Sequence, residues 1–351
     1  MAQAADIAVL TPVRDTHRFD EAALARYLGA RLPGDFDAME VRQFAGGQSN
    51  PTFLLSVGDQ TYVMRKKPPG KLLKSAHAVD REYRIMTALR DTGVPVPETH
   101  HYCEEDSVVG TPFFIMENVE GRVIMDVRLP SLSPEDRAAL YLDCARVMAA
   151  IHTVDLDATE LGDYGRPGNY YARQVSRWSK QYEASKTEDI PEMDALMAWL
   201  PKHIPETDET TIAHGDYRIG NCIIHPTEPR IVAVLDWELS TLGHPLADAS
   251  YFCMSYHLDV HNEGPFPPPG SGIPSEEEFL KTYCAYKERG PIEDWKFYLV
   301  YNLFRTAAIG QGVYKRGLEG NASSEDWALR SAYVRVAAEK SWEMVEQAAQ
   351  R

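Results

Sequence analysis

The stretch Thr211–Leu239, TIAHGDYRIGNCIIHPTEPRIVAVLDWEL, constrains the fold more than any other part of the 351-residue chain. Ile223 and Ile224 read as a short strand, Pro226 to Pro229 as a turn, and Ile231–Leu235 as the returning strand. Such a hairpin carries Asp216, Asn221 and Asp236 to one end of a small sheet. Three oxygen-bearing side chains gathered there suit a hard cation such as Mg²⁺, which takes one or two protein carboxylates and completes its shell with phosphate and water. A plain hairpin with solvated aspartates explains any one of these residues alone. The joint spacing, Asp-x4-Asn followed by a strand-terminal Asp, is harder to reach by chance.

The same three places recur where phosphoryl groups are moved from ATP: an Asp that positions the acceptor, a metal-binding Asn a few residues on, and a second metal-binding Asp. Protein kinases write them as H-R-D-x-x-x-x-N and D-F-G. Here they read His214-Gly215-Asp216, Asn221 and Asp236-Trp237-Glu238. Gly for Arg and Trp-Glu for Phe-Gly depart from protein kinases, and the stretch resembles instead the aminoglycoside phosphotransferase and choline kinase-like enzymes. The resemblance runs from about residue 40 to about residue 255. GGQSNPTF, RKKPPGKLL and SAHAVDREYR are similar, more narrowly, to the kinase-like domain associated with acyl-CoA dehydrogenases and its free-standing bacterial relatives. The resemblance implies an α+β, two-lobed protein kinase-like fold. A strand-rich nucleotide-binding lobe would occupy residues 1–117, and a mainly helical lobe carrying the hairpin and the substrate region residues 118–351.

Along the chain, residues 1–17 read as a flexible lead-in and Phe19–Leu32 as a helix that stops near Pro33-Gly34. Val41–Phe44, Thr52–Val57 and Thr61–Arg65 read as strands. Between the first two, Gly46 and Gly47 would let the backbone approach a phosphate, with Ser49 and Asn50 as donors. The third strand ends in Arg65, Lys66 and Lys67, and alternation puts Val63, Arg65 and Lys67 opposite Met64 and Lys66. The family resemblance gives Arg65 the place of a strand Lys that grips the inner phosphates, leaving open which of the three cations does so. Ala76–Arg90 is helical, and by the same resemblance its Glu82 pairs with the strand cation. Thr111–Glu117 is a buried strand leading into a hinge, where the Glu117 carbonyl and Val119 amide would read an adenine edge.

Beyond the hinge the pattern turns helical. Ser133-Pro134-Glu135-Asp136 starts a helix that runs to about His152. Tyr164–Ser185, Met193–Leu200, Glu276–Arg289, Asp294–Gly310 and Glu325–Gln350 follow as helices, with the Trp178 and Trp199 rings buried. His257–Ser275 is a long irregular segment of the kind that covers substrates. The resemblance gives Asp248 a supporting role under the catalytic loop, alongside His214. Arg305, Lys315 and Arg316 are candidates for contacts to the phosphates of an acyl-CoA substrate.

Composition narrows the partners. With 36 basic against 52 acidic residues the net charge is −16, which argues against nucleic acid. Five cysteines without CxxC spacing suggest neither disulfides nor zinc. No signal peptide or membrane-length apolar run is evident, so a cytoplasmic location is expected. The resulting expectation is an ATP-dependent phosphotransferase (GTP left open) using Mg²⁺ to phosphorylate a small-molecule hydroxyl. A hydroxyacyl-CoA is the first choice of acceptor and an aminoglycoside or amino alcohol the second. A metal-dependent phosphoesterase and a non-catalytic nucleotide-binding protein are the readings from other classes.

Overall fold

The computed structural model describes residues 9–45, 50–70, 77–258, 264–320, 327–328 and 330–349. Gly46, Gly47 and Ser49 of the expected phosphate loop lie outside these residues, as do the first residue of the Ala76–Arg90 helix and part of the His257–Ser275 segment.

The front lobe is a six-stranded antiparallel sheet built from β1 (Leu10–Thr11), β2 (Glu40–Phe44), β3 (Thr52–Val57), β4 (Gln60–Lys66), β5 (Thr99–Cys103) and β6 (Phe113–Glu117), in the spatial order β1-β2-β3-β4-β6-β5. Helix α1 (Glu21–Gly29) starts where the Asp20 carboxylate accepts from the Ala23 amide at 2.8 Å. Leu24 and Leu28 of α1 then meet Phe53, Met64, Phe113 and Ile115 on one face of the sheet. The alternate residues Val63, Phe114 and Met116 face the other way, toward Val79, Met86 and Leu89 of α2 (Val79–Leu89), and their core continues into the back lobe. Strand alternation therefore decides which of Arg65 and Lys66 faces α2. Arg65 does. Lys66 is turned toward α1, where its ammonium donates to the Val109 carbonyl at 2.9 Å and lies over the Phe19 ring.

The lead-in departs from expectation. Leu10 and Thr11 pair with Phe44 and Gln43 as an edge strand, and Asp15–His17 forms a 3-10 turn. The buried Gln43 side chain holds the turn, accepting from the Arg14 amide at 3.0 Å and bonding His17 Nδ1 at 2.7 Å, while its main-chain carbonyl accepts from the Thr11 hydroxyl at 3.2 Å.

A four-residue turn of helix, α3 (Asp106–Val109), precedes β6. The back lobe then carries α4 (Pro134–Thr153), α5 (Tyr170–Ser185), α6 (Pro191–Trp199), β7 (Thr211–Ala213), β8 (Cys222–Ile224), β9 (Ile231–Val234), β10 (Thr241–Gly243), α7 (Leu246–Cys253), α8 (Glu276–Lys287), α9 (Trp295–Leu318) and α10 (Arg330–Ala349). β8 and β9 form the expected hairpin, and β7 pairs with β10 in a second ribbon that the sequence reading lacked. Helix α5 begins six residues later than expected, because Gly165 and Pro167-Gly168 break the pattern. Tyr164 instead lies in a loop, its hydroxyl 2.7 Å from Ser240 Oγ. Helix α9 runs eight residues longer than expected, through Gly310, Gly312 and Gly317. A Cβ on Gly317 would collide with the Trp327 ring, so the glycine serves packing there. Trp178 is buried, but Trp199 is only half-buried and stacks on His203 at 4.1 Å.

The described part of the irregular segment is pinned to the start of α4, with Arg137 donating to the Ser271 carbonyl at 3.3 Å and Arg128 to that of Gly264 at 3.1 Å. No helix among the described residues is long and apolar enough to cross a membrane.

Phe53 is fully buried between α1 and the sheet and meets Phe19 edge to face at 5.2 Å. Phe53→Ala should destabilise the protein by about 3–5 kcal/mol, read as a lowered urea midpoint.

Candidate active site

The site is assembled from four pieces of chain: the loop after β7, the β8–β9 hairpin, the end of β4 and the first turns of α7. The loop after β7 turns at Gly215, whose φ of +84° and close approach to the Leu239 carbonyl both require a residue without Cβ. His214 is fully buried. Its Nε2 donates to the Leu235 carbonyl at 2.9 Å, which leaves Nδ1 to accept from the Asp216 amide at 3.2 Å. The His214 ring thereby ties the Asp216 loop to the end of β9, with the buried Trp237 ring 4.7 Å away.

Asp248, in the first turn of α7, fixes the same loop from the other side. Its carboxylate accepts from the His214 amide at 2.6 Å, the Gly215 amide at 2.8 Å and His152 Nε2 at 3.2 Å. Burial alone would raise the pKa of this carboxyl. The His152 and Gly215 hydrogen bonds and the nearby imidazoles outweigh burial and hold it below its ordinary value. Helix-end His152 is thus part of the support, its Nδ1 in turn 2.9 Å from the Tyr283 hydroxyl.

Asn221 closes a 3-10 turn immediately before β8, and its main-chain carbonyl accepts from the Leu235 amide at 2.8 Å. Its side-chain amide donates to the Asp216 carbonyl at 2.9 Å and to Asp216 Oδ2 at 2.8 Å. That orientation turns the Asn221 side-chain oxygen away from Asp216. Asp216 Oδ1 accepts from the Tyr251 hydroxyl at 2.5 Å, and Arg218 Nε lies 3.4 Å from Oδ2.

Asp236 follows β9 in a left-handed conformation, with φ of +65°. Its Oδ1 accepts from Arg65 Nη2 at 2.6 Å, while Arg65 Nε lies 2.8 Å from Glu82 Oε2. One guanidinium thus joins strand, helix and hairpin. Burial comes first in raising Glu82, and the charges of Asp236 and Glu238 add to it; against the pull of Arg65 they push the carboxyl up to about 7.

This local surplus of negative charge fits a divalent cation beside Asp236. Among the described residues no group of three or more His, Cys, Asp or Glu side chains is arranged to hold a metal. Mg²⁺ does not need such a cage, and one carboxylate, one amide oxygen and substrate phosphates suffice.

Other expected residues fall in different places. Asn50 is fully buried behind the ion pair, with its amide donating to Glu82 Oε1 at 2.6 Å and its oxygen 3.1 Å from His77 Nδ1. Glu117 ends β6, and its amide donates to the Glu98 carbonyl at 2.8 Å. Val119 follows, half-buried. Arg305 is buried and donates to the Gly215 carbonyl at 2.9 Å, under the Asp216 loop. Lys315 and Arg316 stand about 15 Å farther along α9, and Lys315 donates to the Ala184 carbonyl at 2.9 Å. Tyr251 and Arg218 were missed by sequence reading. Tyr251 lies three residues after Asp248 on one helix face, and Arg218 two residues after Asp216, so a helix-face argument and simple proximity were the available signals.

A model of the phosphotransferase enzyme family matches residues 40–291. The chain belongs to that family. It has the two-lobed, strand-rich and helical architecture expected of that family. Its similarity to acyl-CoA dehydrogenase family member 10 of Mus musculus is 45% identity over 342 residues, covering 95% of this chain and 32% of the mouse protein. The chain thus spans about a third of that relative. A Ralstonia eutropha protein, provisionally described as an aminoglycoside phosphotransferase, has a solved structure that is 48% identical, with a TM-score of 0.86, covering 94% of this chain and 99% of that one. Choline kinase from Cryptosporidium parvum shares the fold at 15% identity, with a TM-score of 0.61, over 94% of this chain and 97% of that one.

Asp248→Asn places an amide donor against one of the two backbone donors, which sit on different carboxylate oxygens, and should cost about 2–3 kcal/mol at neutral pH. The folded pKa of Asp248 is depressed, so its contribution is present above the unfolded carboxyl value and lost as pH falls through the folded one. Denaturant midpoints of protein and variant should therefore converge under acid conditions.

Proposed function

We propose that this kinase transfers the γ-phosphoryl group of ATP to the hydroxyl of a hydroxyacyl-CoA, with Asp216 receiving the acceptor. The observation that carries the reading is the Asp216 carboxylate, held by Asn221 and Tyr251 at the end of the hairpin that also bears Asp236. Asp216 accepts a hydrogen bond from the acceptor hydroxyl and takes its proton as the oxygen commits to phosphorus. Asn221 and Asp236 are the residues that would hold Mg²⁺, and Arg65, aimed by Glu82, meets the inner phosphates. When bound, the cation neutralises charge on the phosphates. Glu117 and Val119 lie at the junction we assign to the nucleotide base, dividing the lobes at residues 117 and 118. Gly46, Gly47, Ser49 and Asn50 belong to the segment that would cover the phosphates, with the Asn50 side chain supporting Glu82.

The likeness to acyl-CoA dehydrogenase family members supports an acyl-CoA acceptor. Arg305 underpins the Gly215 carbonyl in this reading, and the phosphates of CoA fall to Lys315 and Arg316. The net charge of −16 and the Ralstonia eutropha likeness favour an aminoglycoside or amino alcohol as the second reading. ATP consumption across hydroxyacyl-CoAs, amino alcohols and aminoglycosides separates the two. Turnover confined to cationic acceptors would reject the first.

Asp216→Ala should lower transfer by about a thousandfold or more while Mg·ADP binding survives in calorimetry. Asp236→Ala should instead abolish the Mg²⁺ dependence of nucleotide binding. Wild-type turnover in either variant contradicts the assigned roles.

A further inference from the structure

The donors around Asp216 determine where an acceptor can dock. Each carboxylate oxygen offers about two lone-pair sites. Oδ2 faces Asn221 Nδ2 at 2.8 Å and Arg218 Nε at 3.4 Å, so both of its sites are taken. Oδ1 accepts from the Tyr251 hydroxyl at 2.5 Å, and no other donor to it is found among the described residues.

Tyr251 is not free to wander. It stands one helical turn beyond Asp248, so a single face of α7 grips both the main chain and the carboxylate of the same loop. Arg305, which donates to the Gly215 carbonyl, lies 5.4 Å from the centre of the Tyr251 ring.

On the reading of Asp216 given above, we infer that Tyr251 is a positioning residue that fills one site of Asp216 Oδ1 and directs the acceptor hydroxyl to the other. The acceptor oxygen then lies beside the Tyr251 hydroxyl. Its proton passes to Oδ1 as the oxygen bonds phosphorus, and the bond from phosphorus to the diphosphate oxygen breaks with its electron pair leaving on the nucleoside diphosphate. Burial and the charge of Asp216 push the Tyr251 phenol well above its ordinary pKa, so it stays protonated and donating at neutral pH.

The test compares Tyr251→Phe with Tyr256→Phe, whose lost hydroxyl bonds the Pro274 carbonyl at 3.0 Å away from Asp216. ATP turnover is measured with water alone and with a panel of hydroxyacyl-CoAs, amino alcohols and aminoglycosides, alongside Mg·ADP calorimetry and thermal unfolding. Tyr251→Phe should lower kcat by about ten- to a hundredfold, with KM for ATP and Mg·ADP affinity within about twofold of wild type. Tyr256→Phe should lower Tm and leave kcat unchanged. A Tyr251→Phe variant with wild-type kcat, or one that loses kcat and Mg·ADP affinity together, overturns the proposal alone. Wild-type protein that turns over ATP with neither water nor any acceptor overturns the phosphotransferase reading and this proposal with it.

Discussion

The guanidinium of Arg65 bears on Glu82 with one nitrogen and on Asp236 with another. The planar guanidinium fork reaches each carboxylate through a separate nitrogen, where an ammonium would have to meet both from a single point. The side chain is nearly sequestered, at 12% exposure against 2% for Glu82, so removing either partner would leave a costly buried charge. The lobes are joined here by electrostatics, and the join is unbalanced. Glu82, Asp236 and Glu238 all act on the one cation. That imbalance makes the site acidic enough to accept a further positive charge.

A second buried charge holds the loop that carries Asp216. Asp248 accepts two consecutive backbone amides and an imidazole, a set of donors that fixes the main-chain path before any side chain is placed. His214 and Arg305 add bonds from β9 and α9. Asp216 is therefore set by surroundings drawn from β9, α7 and α9, and its orientation does not rest on the loop's own rigidity.

How much of this was legible in the sequence depended on the range of the interaction. The hairpin with Asp216, Asn221 and Asp236 follows from local alternation and turn chemistry, which adjacent residues encode. Alternation also carried the answer to Arg65 against Lys66, once α1 and α2 were known to cover opposite faces of the sheet. The ordering of Leu10 and Thr11 was not legible, because it depends on the main chain of Gln43 and Phe44 more than thirty residues away. Tyr164 carried a helical pattern but was drawn out by Ser240 across 76 positions. Tyr251 escaped for a related reason. Its contact with Asp216 exists only after α7 has docked on the β7 loop, and a tyrosine in an apolar helix otherwise reads as core.

The connection after β6 carries a mechanical implication. Arg122 exchanges backbone hydrogen bonds with Ile224 at 2.7 and 2.8 Å, and a Cβ on Gly121 would collide with the Ile224 carbonyl. The segment leaving the front sheet is thus stitched to β8. Arg65 is joined on the α2 side by Arg81, which donates to the Tyr164 carbonyl at 2.9 Å and the Ser240 carbonyl at 3.3 Å, and by Arg84, which donates to the Glu160 carbonyl at 2.9 Å. The two halves are therefore tied by a main-chain ladder at β8 and by arginine side chains from β4 and α2, so any motion of one against the other has to break charged bonds or strain that ladder.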